Sequence, residues 1–285
     1  MSSIRMDERP EVEQPTLILA FRGWNDGGEA SSTALAYLRD RWLAEPIGDI
    51  DPEDFYDFQV TRPMVRLENG VTRKVEWPEN RFWHASVEGR DVILFLGIEP
   101  NTRWRTFGEE IVALARELGV ETTITLGAFL ADVPHTAETP IAGSADNQKV
   151  AEELGLTGSR YEGPTGIVGV LHDALARAGF PSASLWAAVP HYLPGGPNPK
   201  AALSLVRKLT AFMSLPIETD TLERAAASWE TQVTSSISDN PELQAYVGQL
   251  EQVAEDRGGE LEIPTGETLA EELERFLRQQ RGEPS

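Results

Sequence analysis

Four apolar runs with the length of buried strands each break off abruptly into a loop, and three of those loops lead towards helix-patterned sequence. Thr16–Phe21 runs into Gly23-Trp-Asn-Asp-Gly-Gly28, and Val92–Ile98 into Glu99-Pro-Asn-Thr-Arg-Trp104. Thr122–Leu126 runs into Gly127 and a loop ending Asp132-Val-Pro-His135, and Ala183–Val189 into Pro190-His-Tyr-Leu-Pro-Gly-Gly196. Strands that are apolar on both faces and alternate with helices require a mostly parallel sheet covered on both sides. In such sheets ligands settle in the crevice at the carboxyl ends of the strands. The four loops are therefore expected to meet at one site.

The helical partners read from periodicity. Gly27–Leu43 carries Ala30, Ala34, Leu35, Leu38 and Trp42 at helical spacing. Further on, the order is strand 91–98, helix 105–118, strand 121–126, helices near 146–154 and 167–178, strand 183–189 and helix 199–213. Between the first helix and strand 91–98 lie short β-type pieces around Val60, Met64–Leu67, Val71–Trp77 and Phe82–Val87. Asn69-Gly70 separates two of them and is a two-residue hairpin signal, because both residues accept positive φ. An antiparallel excursion is expected there. Residues 1–14 read as a flexible terminus and 15–215 as the α/β/α core domain.

From about Pro216 the character changes. Residues 217–285 hold sixteen Asp and Glu against five Arg and show only helical periodicity. One stripe is Leu222, Ala225, Ala226, Trp229, Val233 and Ile237; a second is Leu243, Tyr246, Val247, Leu250 and Val253; a third is Leu269, Leu273, Phe276 and Leu277. Asn240-Pro241 reads as an N-cap followed by proline at the first helical position. Residues 216–285 are thus an acidic helical appendage that packs on its own core or on another subunit.

Charge narrows the partners. The net charge of −21, with four lysines and no basic run, repels nucleic acid and anionic membranes. The absence of cysteine removes disulfides, thiolate metal sites and cysteine nucleophiles. Met1–Gln14 lacks the apolar stretch of a signal peptide, and the longest apolar runs are too short to span a bilayer, so a soluble, cytoplasmic protein is expected.

Several residues at the strand ends have chemical potential. Gly23–Gly28 is either a tight turn in which Asn25 or Asp26 caps a helix, or a ligand contact through Trp24, Asn25, Asp26, Gly27 and Gly28. His135 and His191 each follow a proline in a loop after a strand, where a neutral imidazole can act as a base; His84 and His172 read as packing or surface residues. Glu99 and Asp132 join Asp26 as strand-end carboxylates, and Arg62 offers a guanidinium fork. No His-x-x-x-His spacing, Gly-x-Ser-x-Gly elbow, Walker A sequence or dinucleotide fingerprint is present. Neither a metal nor a cofactor is expected, and no coherent catalytic set emerges.

In order, Gly23-Trp-Asn-Asp-Gly-Gly-Glu-Ala30, Thr61-Arg-Pro63, Gly163-Pro-Thr-Gly166 with Gly169, Pro190-His-Tyr192 and Pro199-Lys-Ala-Ala202 resemble the proteasome-assembly-chaperone (type two) family, particularly its bacterial branch. The resemblance covers about residues 15–215. It implies a three-layer α/β/α core like that of nucleoside phosphorylases and related hydrolases. It also implies self-association as a trimer or dimer, or pairing with a related family member. Some family chaperones dock on proteasome α-subunits through a hydrophobic–tyrosine–any-residue tail, which Arg281-Gly-Glu-Pro-Ser285 does not match. The leading expectation is a non-catalytic oligomeric scaffold of the assembly-chaperone kind. The alternative is a binder, or an enzyme, of a small polar nucleoside-like or amino-acid-like metabolite at the strand ends. An ATP-dependent carboxylate–amine ligase ranks last, because clustered phosphate-binding lysines and a glycine-rich clamp are missing.

Overall fold

The apolar run Thr16–Arg22 (β2) occupies the middle of an eight-stranded sheet in this computed structural model, which describes residues 2–68, 72–156, 161–193 and 195–256. On one side β2 pairs in parallel with Arg90–Ile98 (β7), and on the other with Thr122–Ala131 (β8). Ser182–Pro190 (β10) continues the parallel set beyond β8. These four strands are the apolar runs of the sequence. Successive β2 side chains serve opposite faces, as the strand period demands. Ile18 and Ala20 join one apolar cluster; Leu17, Leu19 and Phe21 join the other.

Helices cover both faces. Ala30–Arg41 (α1) and Pro199–Met213 (α5) bury Leu35, Leu38, Leu205 and Leu209 in the first cluster. Trp104–Glu117 (α2) and Ile167–Arg177 (α4) bury Phe107, Ile111, Leu171 and Leu175 in the second. The short Gln148–Glu153 (α3) adds Val150 to the first. The result is the expected three-layer α/β/α arrangement.

The sheet margins are antiparallel. Arg81–Val87 (β6) pairs with β7 across the turn Glu88-Gly89, where both residues have positive φ. Glu45–Ile50 (β3) pairs with β6, and Ile4–Met6 (β1) with β3. At the far margin Ile141–Ala145 (β9) pairs with β10. Three of these strands are absent from the sequence reading. Ile4–Met6 lies in the segment expected to be a flexible terminus; it is instead an edge strand, and Ser3 beside it bonds Glu110 of α2. β3 contains Pro46 and Gly48, and β9 is Ile-Ala-Gly-Ser-Ala, so neither has a strand-like composition. Both are edge-side strands recruited by neighbours already in place.

Met64–Glu68 (β4) and Thr72–Glu76 (β5) pair only with each other, in a separate two-stranded sheet. The turn expected at Asn69-Gly70 lies outside the described residues. Two long helices follow the core, Asp220–Ser238 (α6) and Pro241–Asp256 (α7). Asn240 Oδ1 accepts the Leu243 amide, 3.2 Å, so the Asn-Pro signal caps α7 as read. Leu222 and Ala226 of α6 enter the first apolar cluster, and Ile237, Val247 and Leu250 are buried, whereas Ala225 is exposed. Both helices therefore lie against their own core. The third stripe, Leu269–Leu277, is outside the described residues.

Candidate functional site

The loop after β2 is built around two carboxylates that tie it down. Asp26 is buried, and its Oδ1 accepts from the Ser31 amide (2.8 Å), the Ser31 hydroxyl (2.6 Å) and the Ser32 amide (3.1 Å). Its Oδ2 accepts from the Ser32 hydroxyl at 2.5 Å. Desolvation raises the Asp26 pKa, against the four donors that favour the charged form. The side chain thereby anchors the first turn of α1. Glu99, at the end of β7, accepts the Asn25 side-chain amide at 2.6 Å and the Ile167 amide at 2.8 Å, as well as a backbone donor from Trp24. Burial raises its pKa too.

Glu99 thus joins three distant stretches: the end of β7, the Gly23–Gly28 loop and the start of α4. A Cβ on Gly166 would lie 2.2 Å from Asn25 Oδ1 and 2.6 Å from Glu99 Oε1. Only glycine allows this approach, which explains why Trp24-Asn25 and Thr165-Gly166 belong together. Asn25 Oδ1 itself is buried without a hydrogen-bond partner.

A cavity of about 810 Å³ opens over the carboxyl ends of β2, β8 and β10. Of the residues singled out from the sequence, Trp24, Asp26, Gly27, Gly28 and His191 line it. Asn25 and Glu99 do not line it; they brace the wall made by Gly166. Asp132 and His135 sit outside the lining, where the core meets the appendage. Asp132 Oδ1 is 3.1 Å from His191 Nδ1 and accepts the Tyr246 hydroxyl at 3.1 Å. His135 is buried; its amide donates to the Tyr192 hydroxyl (2.8 Å), its Nδ1 lies 2.9 Å from that hydroxyl, and its Nε2 lies 3.0 Å from Thr234 Oγ1 of α6. Desolvation lowers its pKa, so the neutral ring is favoured. Lys200 seals the junction by donating to the carbonyls of His135 (2.7 Å) and Thr136 (3.1 Å) and pairing with Glu230.

Arg62 is exposed and stands apart from the cavity. Its neighbour Thr61 is tethered to Asn101 in the loop after β7, one strand beyond the cavity. The cavity also recruits residues the sequence reading passed over: His172 of α4, Ser144 of β9, Ser184 and Trp186 of β10, Tyr161 and, from the appendage, Trp229. His172 adjoins the inward stripe Val168, Leu171 and Leu175, a pattern that marks a helix flank facing the sheet. Nothing in the α6 sequence places Trp229 over this opening. Among the described residues no group of three His, Asp or Glu side chains is placed to hold a metal ion.

The PAC2 family profile matches residues 20–237. A PAC2 family protein from Streptomyces avermitilis shares 45% identity over 82% of this chain and 99% of its own, with a TM-score of 0.76. A proteasome-assembly chaperone homologue from Mycobacterium tuberculosis shares 45% identity over 81% of this chain and 99% of its own, with a TM-score of 0.75. An archaeal proteasome activator from Pyrococcus furiosus shares the fold, at 18% identity and a TM-score of 0.66, over 82% of this chain and 97% of its own. No curated protein matches the chain. Among the described residues no helix is long and apolar enough to cross a membrane.

Proposed function

Given that the chain belongs to the PAC2 family, we propose that it is a non-catalytic scaffold of the assembly-chaperone kind, working as a dimer or trimer or paired with a family relative. The names of the Mycobacterium and Pyrococcus proteins, a chaperone homologue and a proteasome activator, favour this reading. The observation that carries it is the β4–β5 hairpin. On one face of it Val65, Leu67 and Val75 are 58%, 61% and 49% exposed; Met64 on the opposite face is 64% exposed and Trp77 just beyond β5 is 53% exposed. A two-stranded hairpin alone is marginal in water, and contiguous exposed apolar side chains mark interaction surfaces. The strand-end chemistry points the same way, because Asp26, Glu99, His135 and Asp132 are each engaged in bonds that hold loops together.

Light scattering over a concentration series tests the reading. A dimer or trimer is expected, shifting towards monomer in Met64→Ser/Leu67→Ser. A protein that is monomeric throughout and captures no family relative overturns it.

A second reading is favoured by the cavity. Its volume falls within the range of about 300–1,000 Å³ typical of small-molecule pockets, and it sits at the strand ends of an α/β sheet. On this reading the scaffold carries a small ligand that steadies it. A thermal-shift screen checks the point, since any ligand bound by the native state alone raises the midpoint.

A further inference from the structure

The capping of the helices around the cavity gives it a chemical bias. Three helices begin at its rim, α1, α4 and α5, and a helix N-terminus is where such folds usually hold phosphate or carboxylate groups. Here each is occupied by the chain's own oxygen. Asp26 accepts the Ser31 and Ser32 amides of α1, Glu99 accepts the Ile167 amide of α4, and Asn198 Oδ1 accepts the Ala201 amide of α5 at 3.0 Å. Two of these caps are carboxylates, and Glu29 adds a further one to the lining. Among the described residues no lysine or arginine lines the cavity. Lys200, in the first turn of α5, is engaged by two carbonyls and Glu230. An anion entering would shed its water beside negative charge with no cation to replace it.

The lining offers ring faces and neutral hydrogen-bonding groups instead. Trp24, Phe129, Trp186 and Trp229 contribute to it. His172 Nδ1 lies 3.0 Å from the Ser182 hydroxyl, which itself accepts from Thr123 Oγ1 at 3.0 Å. In the tautomer that takes the Ser182 proton at Nδ1, the ring carries its own proton on Nε2 as a donor. Desolvation lowers the His172 pKa and so keeps the ring neutral. Ser184 Oγ accepts from both Thr125 (2.9 Å) and the Trp186 indole (2.8 Å), which leaves its own hydrogen for a ligand.

We propose that this cavity binds an uncharged heteroaromatic molecule of nucleobase to nucleoside size, stacked on tryptophan and accepting a hydrogen bond from His172, and that it discriminates against phosphorylated forms of the same ring. The proposal rests on the ligand-binding reading above and adds the class of ligand.

Thermal shift and calorimetric titration with matched pairs test it: adenosine and AMP, uridine and UMP, riboflavin and riboflavin 5′-phosphate. At least one uncharged member is expected to raise the midpoint and to bind tenfold or more tightly than its phosphate. His172→Phe is expected to weaken that binding at least tenfold, and Ala142→Phe, which fills the cavity from β9, to abolish it. A phosphate that binds as tightly as its parent or more tightly overturns the proposal. If Ala142→Phe also abolishes that phosphate binding, the cavity stands as a ligand site and only the charge selectivity falls. If no member of the panel shifts the native protein, the ligand-binding reading falls and takes this one with it. Arg160 lies outside the described residues, and the preference for the uncharged member is expected to persist in Arg160→Ala. A phosphate preference that this substitution removes would place a cation at the cavity and overturn the proposal.

Discussion

At the scale of single residues, the informative positions hold separate stretches of chain in contact. Gly166 is the clearest case, because no Cβ fits between it and the Asn25–Glu99 pair. Gly166→Ala is expected to lower stability by about 1–3 kcal/mol, the usual cost of overpacking. Denaturant unfolding measures this, and an unchanged midpoint would sink the bracing role given to Glu99. The titratable groups make a second prediction. His172 and His135 have pKa values lowered chiefly by desolvation, so the unfolded chain binds more protons as pH falls below about 6.5. Their contribution is present above that pH and is lost on acidification. Asp26 and Glu99, with pKa values raised by desolvation, act in the opposite sense: stability falls as pH rises out of the ordinary carboxylate range. His172→Phe is therefore expected to flatten the acid-side loss of stability between about pH 6.5 and pH 5. Identical slopes in parent and variant would count against a desolvated imidazole.

At the scale of elements, the hairpin and the appendage behave differently. Among the described residues β4 and β5 pair as strands only with each other, whereas α6 and α7 are fastened to the core by named contacts. Lys200–Glu230, His135–Thr234, Asp132–Tyr246 and Thr136–Glu251 all cross that boundary. Glu230→Gln keeps the shape of the side chain and removes its charge beside Lys200. Hydrogen exchange is expected to speed up in α6 and α7 in this variant while β2, β7 and β8 stay protected, because local opening costs less than global unfolding. Uniform acceleration across the chain would show that the appendage is not a separately opening unit. Trp229 gives this motion a consequence, since it brings part of the cavity wall with α6.

At the scale of the whole molecule, a charge of −21 makes self-repulsion a standing cost. Raising ionic strength from about 0.01 M to 0.15 M shortens the screening length from about 30 Å to 8 Å. The thermal midpoint is expected to rise over that range, and the self-association proposed for the hairpin is expected to strengthen alongside it. A midpoint that falls with salt would mean that attractive ion pairs outweigh the repulsion. The same charge argues that a docking surface must be largely apolar, as Val65, Leu67 and Val75 of the hairpin are.

The local chemistry of the chain was enough to specify the parallel strands, most of the helices and the capping signal at Asn240. Each rests on interactions within a few residues or on a periodic apolar face, which a linear pattern displays directly. Tertiary structure alone decided the rest. β1, β3 and β9 are strands because a neighbour offers unpaired backbone groups, not because their side chains favour extension. Asn25, Glu99 and Ile167 meet across 68 positions between Glu99 and Ile167 and 74 between Asn25 and Glu99, a closeness that no spacing rule records. His172, Trp186 and Trp229 become cavity walls only once α4, β10 and α6 are packed, since which face of an amphipathic element borders an opening depends on what the other elements leave uncovered.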